Sequence, residues 1–110
     1  MEISQKEYKR VNVVTILGRI DSATAGEFET NLVELAERGR NNIVLDMSDV
    51  EFISSAGLRV LVTIRKAVQS AGGDLVLAEP SERVIDTLEI AGLDVLFTAH
   101  PDRETAIASF

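Results

Sequence analysis

The stretch from Ile43 to Leu58 constrains the fold most: a short apolar run, a polar corner, then a serine pair opening a long helical pattern. Ile43, Val44 and Leu45 form the continuous apolar run of a buried strand, and Asp46-Met47-Ser48-Asp49 follows with residues that favour turns. The strand is therefore placed at Ile43 to Asp46. After Phe52 and Ile53, the run Ser54-Ser55-Ala56-Gly57 leads into apolar residues at Leu58, Leu61, Ile64, Ala67, Val68 and Ala71. That spacing predicts a helix from about Gly57 to Ala71, stopped by Gly72 and Gly73. A serine thus stands at a strand-to-helix corner, at the positive end of a helix.

The same alternation runs through the rest of the chain. Residues 2 to 9 are weakly strand-like, and Val11 to Leu17 is β-branched and apolar enough for a strand, closed by Gly18. Asp21 and Ser22 are expected to cap a helix running to about Arg38, with Phe28, Leu32, Leu35 and Ala36 inward, Glu27, Glu34 and Glu37 outward, and Gly39 as C-cap. Leu75 to Ala78 reads as the next strand, and Ser81 as the cap of a helix ending at Gly92. Leu93 to Thr98 reads as a last short strand, and Pro101 as the first turn of a terminal helix through Ala106, Ile107 and Phe110. The order β-β-α-β-α-β-α-β-α predicts an α/β fold. It is a central mixed, partly parallel sheet of about four to five strands flanked by about four helices, with right-handed crossovers. Residues 1–110 are read as a single domain, because 110 residues at 45% hydrophobic content bury a core without disulfides or metals.

Composition narrows the function classes. The absence of cysteine excludes a disulfide scaffold and thiolate chemistry and fits a reducing compartment. The N-terminus lacks a signal-peptide profile and no apolar run approaches the roughly 18 residues of a membrane span, so a cytoplasmic location without membrane insertion is expected. A net charge of −7, from 18 acidic and 11 basic residues, disfavours nucleic acid and anionic lipid and fits better a protein partner with a basic patch. One tyrosine, four phenylalanines and no tryptophan leave little for a base-stacking platform.

Enzymatic readings lack their parts. A serine nucleophile needs a base within hydrogen-bond reach, but the one histidine, His100, precedes Pro101 and reads as a loop or helix-cap residue, and no Gly-x-Ser-x-Gly elbow occurs. Neither glycine-rich phosphate loop is present, so no nucleotide site of its own is expected. Asp21, Asp46 and Asp49 invite a metal or acid/base reading at strand ends, but capping and turn roles account for them. Asp46 as a receiver-type phospho-acceptor would need an acidic pair after the first strand, which ends Leu17-Gly18-Arg19. It would also need a lysine where Glu79 and Pro80 stand. No cofactor, metal or catalytic set is expected.

The serines carry two compatible readings. Serine is a preferred N-cap, worth about 0.5–2 kcal/mol over alanine. A hydroxyl there is also suited to accept a phosphoryl group, because free N–H donors and the helix dipole favour an added charge of about −1.5 to −2. Along the helix, Leu61, Ile64, Ala67, Val68 and Ala71 make the inward stripe. Val62 lies off it beside Arg59, Lys66 and Gln69, with Leu58 at the border, which reads as a docking face or as edge packing.

The run from Asn42 to Leu58, with Leu17-Gly18-Arg19-Ile20-Asp21 upstream and the Ala71-Gly72-Gly73 helix end, resembles STAS domains, specifically bacterial anti-sigma factor antagonists, over nearly the whole chain. The resemblance implies a β-sheet flanked by helices and a partner switch. The unphosphorylated form binds an anti-sigma factor that is a serine/threonine kinase and frees a sigma factor. The kinase then phosphorylates the antagonist with its own ATP, the antagonist lets go, and a phosphoserine phosphatase resets it. The acceptor in that pattern is the serine two positions before the glycine, Ser55. Ser54 is the alternative, because many members carry aspartate at its position and a hydroxyl residue where Ala56 stands. The partner-binding set implied is Asp21, Ser54, Ala56, Gly57, Leu58, Arg59, Val62 and Lys66. The other reading left open is a constitutive STAS subunit of a stressosome-like or lipid-transport assembly, in which Ser55 only caps the helix. Homodimerisation is also left open.

Overall fold

β1 (Glu2–Tyr8) and β2 (Val11–Ile20) form an antiparallel pair at the start of the chain in the computed structural model, which describes residues 1–110. From β2 the chain alternates through α1 (Ala25–Glu37), β3 (Asn42–Ile53), α2 (Ser55–Ser70), β4 (Asp74–Ala78) and α3 (Glu82–Ile90). A 3-10 turn (Asp94–Leu96), the two-residue β5 (Ala99–His100) and α4 (Arg103–Ala108) complete it. The five strands lie in the order β1-β2-β3-β4-β5, and every neighbouring pair after the first is parallel. The expected mixed α/β sheet with four helices is what forms.

Alternation along the strands divides the core. Val14, Ile16, Ile43, Leu45, Leu75 and Leu77 join Phe28, Leu32 and Leu35 of α1, Leu61, Ile64 and Val68 of α2, and Val84 and Leu88 of α3 in the main cluster. Their strand neighbours Val11, Val13, Val44 and Val76 form a smaller cluster with Ala78 and Ala106 of α4, against which Tyr8, Ile107 and Phe110 pack. Ile43 to Leu45 is thus buried on both sides, as a continuous apolar run requires.

Several local expectations are corrected. β3 does not end at Asp46 but runs to Ile53, and β2 passes through Gly18 to Ile20. Two register shifts against β2, between Thr15 and Leu17 and between Gly18 and Arg19, absorb extra residues of β3 as bulges. Ser48 sits at the first, donating its N–H and hydroxyl to Asp46 Oδ1 at 3.1 and 2.7 Å, while Met47 stays buried. The turn-forming chemistry is real, but it is spent inside a strand. Leu93 to Thr98 is not a strand: Leu93 N–H donates to Leu88 O and Leu96 N–H to Leu93 O, which coils the segment. His100 lies in β5, not in a loop or cap, and Pro101 precedes the terminal helix, whose N-cap is Asp102 through Thr105 N at 2.7 Å.

The inward face of α2 is also redrawn. Leu58 and Val60 are buried, whereas Ala67 and Ala71 are exposed. At its far end the helix meets the start of β3: a Cβ on Gly73 would collide with the Asn41 carbonyl oxygen. The glycine pair therefore ends the helix by close backbone approach as well as by conformation.

Candidate functional site

Ser54 closes the corner between β3 and α2. Its N–H donates to Ile20 O at 2.8 Å, tying the helix entry to the end of β2. Its backbone is extended (φ −88°, ψ 173°) and its hydroxyl accepts from Gly57 N at 3.2 Å, which makes it the N-cap of α2. Ser55 is the first residue of the helix and is exposed. The side-chain hydrogen bond at the corner goes to Ser54 and leaves the Ser55 hydroxyl facing solvent. No acidic residue occupies the first turn of α2, so its N-terminal dipole carries no competing carboxylate.

Gly57 sets the height of this corner. A Cβ there would stand 2.8 Å from both Ile20 Cγ2 and Ile53 Cγ1. Gly57→Ala is therefore expected to destabilise the fold by about 1–3 kcal/mol through overpacking, read as a lower urea midpoint. A midpoint equal to that of the parent protein would show that the helix is not seated this tightly.

Asp21 lies at the turn that follows Ile20. Its carboxylate accepts from Ala23 N at 2.9 Å and Thr24 N at 3.2 Å, while Thr24 Oγ1 accepts from Asp21 N at 2.9 Å. Slight burial pushes the carboxyl up, and the hydrogen bonds from Ala23 and Thr24 hold it below the usual carboxylate range. Asp21 and Ser22 therefore do not cap α1 as expected. That helix starts at Ala25, after Thr24, without a side-chain cap. Beside this turn the Arg19 guanidinium stacks over the Phe52 ring at 4.4 Å, a pairing invisible in sequence because the two residues are brought together only by strand register.

Ser55, Arg59, Val62 and Lys66 recur at i, i+4, i+7 and i+11, one stripe along α2. Ser55, Arg59 and Lys66 are exposed, and Ala56 and Val62 are half-buried against the main core. Leu58 and Gly57, expected to border or join a docking face, are buried and position the corner from within. None of the surface clefts is lined by Ser54 or Ser55, and of the two Ser55 is the exposed one.

The three aspartates do not converge, and no group of three carboxylates or histidines is placed to hold a metal. Asp46 instead takes Arg103 on Oδ2, from Nε at 3.1 Å and Nη2 at 2.6 Å. Burial pushes this carboxyl up; the hydrogen bonds from Arg103 and Ser48 overcome it and hold it low. It is a structural ion pair joining β3 to α4. Nothing in the sequence signals it, since the partners lie 57 positions apart.

The chain is similar in sequence and in fold to other proteins. The model of the STAS domain matches residues 2–106. BtrV of Bordetella bronchiseptica is 32% identical over 110 residues, spanning 100% of this chain and 95% of that one. The anti-sigma-B factor antagonist of Bacillus subtilis is 40% identical over 80 residues, 73% of this chain and 72% of its own. The Bacillus anti-sigma factor antagonist SpoIIAA superposes in its unphosphorylated form with a TM-score of 0.85 at 17% identity, covering 98% of this chain and 95% of that one. Its phosphorylated form gives 0.77 at 16%, covering 98% of each. At that identity the likeness speaks to the fold.

Proposed function

The chain belongs to the STAS domain family, and on that premise we propose that it is an anti-sigma factor antagonist that works by partner switching. In this reading the unphosphorylated chain binds an anti-sigma factor serine/threonine kinase in the cytoplasm and so releases a sigma factor. Phosphorylation at Ser55 ends the binding, and a phosphoserine phosphatase restores it. The chain supplies a surface and an acceptor hydroxyl, and the partner supplies the nucleotide and the catalysis.

The observation that carries this reading is the division of labour between the serines. Ser54 is half-buried, its hydroxyl oxygen engaged by Gly57 N and its own N–H by Ile20 O, so it is the less accessible hydroxyl. Ser55 is exposed at the helix start, where a phosphate gains the dipole and disturbs no bond. This supports Ser55 over Ser54 as the acceptor.

The test is incubation with ATP and the anti-sigma factor kinases encoded by its own genome, with the phosphosite read by mass spectrometry. Phosphate is expected on Ser55, none in Ser55→Ala, and continued uptake in Ser54→Ala, at about 1 kcal/mol of lost stability. Normal uptake by Ser55→Ala would remove the site assignment. Stable co-purification with a large assembly, unchanged by phosphorylation, would favour the constitutive-subunit reading instead.

A further inference from the structure

Of the four helices, α2 is the one that carries basic residues and no acidic ones. α2 carries Arg59, Arg65 and Lys66 and no acidic residue. α1 carries Glu27, Glu29, Glu34 and Glu37 and no base, and α3 sets Glu82, Asp86 and Glu89 against Arg83. The molecule's ion pairs are Arg40 with Glu7 and Arg103 with Asp46, which leaves Arg59 and Lys66 exposed without a carboxylate partner. Arg65 turns away from the stripe and lies over the Phe97 ring at 5.8 Å. The outward line of α2 is therefore cationic, with the half-buried Val62 between its two charges and Ser55 at its head.

A net charge of −7 alone favours a basic partner, but the local distribution on α2 is the reverse. Asp21 adds one negative group on the β2 side of the corner. We propose that the Arg59–Val62–Lys66 stripe docks an acidic protein surface, carboxylates opposite the two cations and an apolar contact opposite the valine, and that phosphorylation of Ser55 releases the partner partly by cancelling this charge. The inference rests on the partner-switching reading and names the chemistry of the partner's surface. A phosphate at Ser55 stands one turn from Arg59, within reach of an i, i+4 pair, so it repels the acidic partner and withdraws one of the cations that attracts it. An extended polyanion fits less well, because the stripe is one helix wide and the acidic α1 packs beside α2 in the same core.

The probe is the anti-sigma factor that phosphorylates the chain in the assay above, held in ADP so that no transfer occurs. Association is measured at low and high salt for the parent chain, Arg59→Glu, Lys66→Glu, the double variant, and Arg83→Glu, which makes the same charge change on α3. Folding of each is checked by thermal denaturation. The double variant is expected to associate about tenfold or more slowly at low salt and to recover most of the difference at high salt, with Arg83→Glu nearly unaffected. Reversals without effect, or an equal loss in Arg83→Glu, would overturn this inference alone, whereas a parent chain that binds no anti-sigma factor removes the partner-switching reading beneath it. Anionic vesicles and duplex DNA are run in parallel. Binding to either that the double variant loses would assign the stripe to a polyanion and overturn protein docking.

Discussion

A phosphoryl group on Ser55 is expected to lower affinity for the anti-sigma factor about 100-fold or more while leaving the backbone of the chain superposable. The two halves of this result come from opposite sides of the same surface. On the partner's side, a charge of about −1.5 to −2 would be taken out of water against an acidic surface at the head of the docking stripe, and desolvating an ion costs several kcal/mol. At about 1.4 kcal/mol per tenfold, that gives two decades or more. On the chain's own side, the same phosphate gains about 0.3–1 kcal/mol from the helix dipole. The Ser54 cap and the close seat of Gly57 against Ile20 and Ile53 remain in place. Nothing in the free domain therefore has to refold for the signal to be sent. Titration calorimetry of the two forms against one anti-sigma factor measures the first half, and their superposition the second. Affinities within fivefold would refute the block, and a rebuilt β3–α2 corner would refute its local character.

The corner shows where sequence reasoning reaches and where it stops. Periodicity is local, so the order of strands and helices and the layered α/β fold were readable from it. The end of β3 was not, because Asp46, Ser48 and Asp49 have the propensity of a turn and only the pairing with β2 makes them bulges. Leu93 to Thr98 has the composition of a strand, but backbone bonds to Leu88 and Leu93 coil most of it before β5 can pair. The choice between the serines was closed to sequence for the same reason. Both residues are good N-caps, and which one serves depends on where β2 ends, since Ile20 O fixes Ser54 N. Arg59 and Lys66 could be placed on one face by counting, but their lack of carboxylate partners could not.

Arg103→Ala is expected to destabilise the fold by about 3 kcal/mol at neutral pH, the low end for breaking a buried pair. The low end applies because the Arg103 side chain is 36% exposed, so water screens part of the interaction, although that of Asp46 is only 11% exposed. Ser48 continues to serve Oδ1, but Oδ2 loses both its guanidinium donors. Burial is then opposed by Ser48 alone. α4 loses its polar anchor on the sheet and keeps only Ala106, Ile107 and Phe110 to cover the valines of the smaller cluster. The pH dependence identifies the cause. In the parent protein the Asp46 pKa lies below its ordinary 3.8, so its stabilisation is complete above that value and is lost as pH falls through the folded-state pKa. The stability gap between parent and variant should accordingly be full at neutral pH and shrink below about pH 4. Asp46→Asn, which keeps the shape and a neutral acceptor, should cost less than Arg103→Ala, because it leaves no buried charge. Urea denaturation at neutral and acidic pH measures both, with hydrogen exchange along α4 as the local readout. A gap that stays constant across that range would mean Arg103 holds α4 by packing of its stem rather than by its charge.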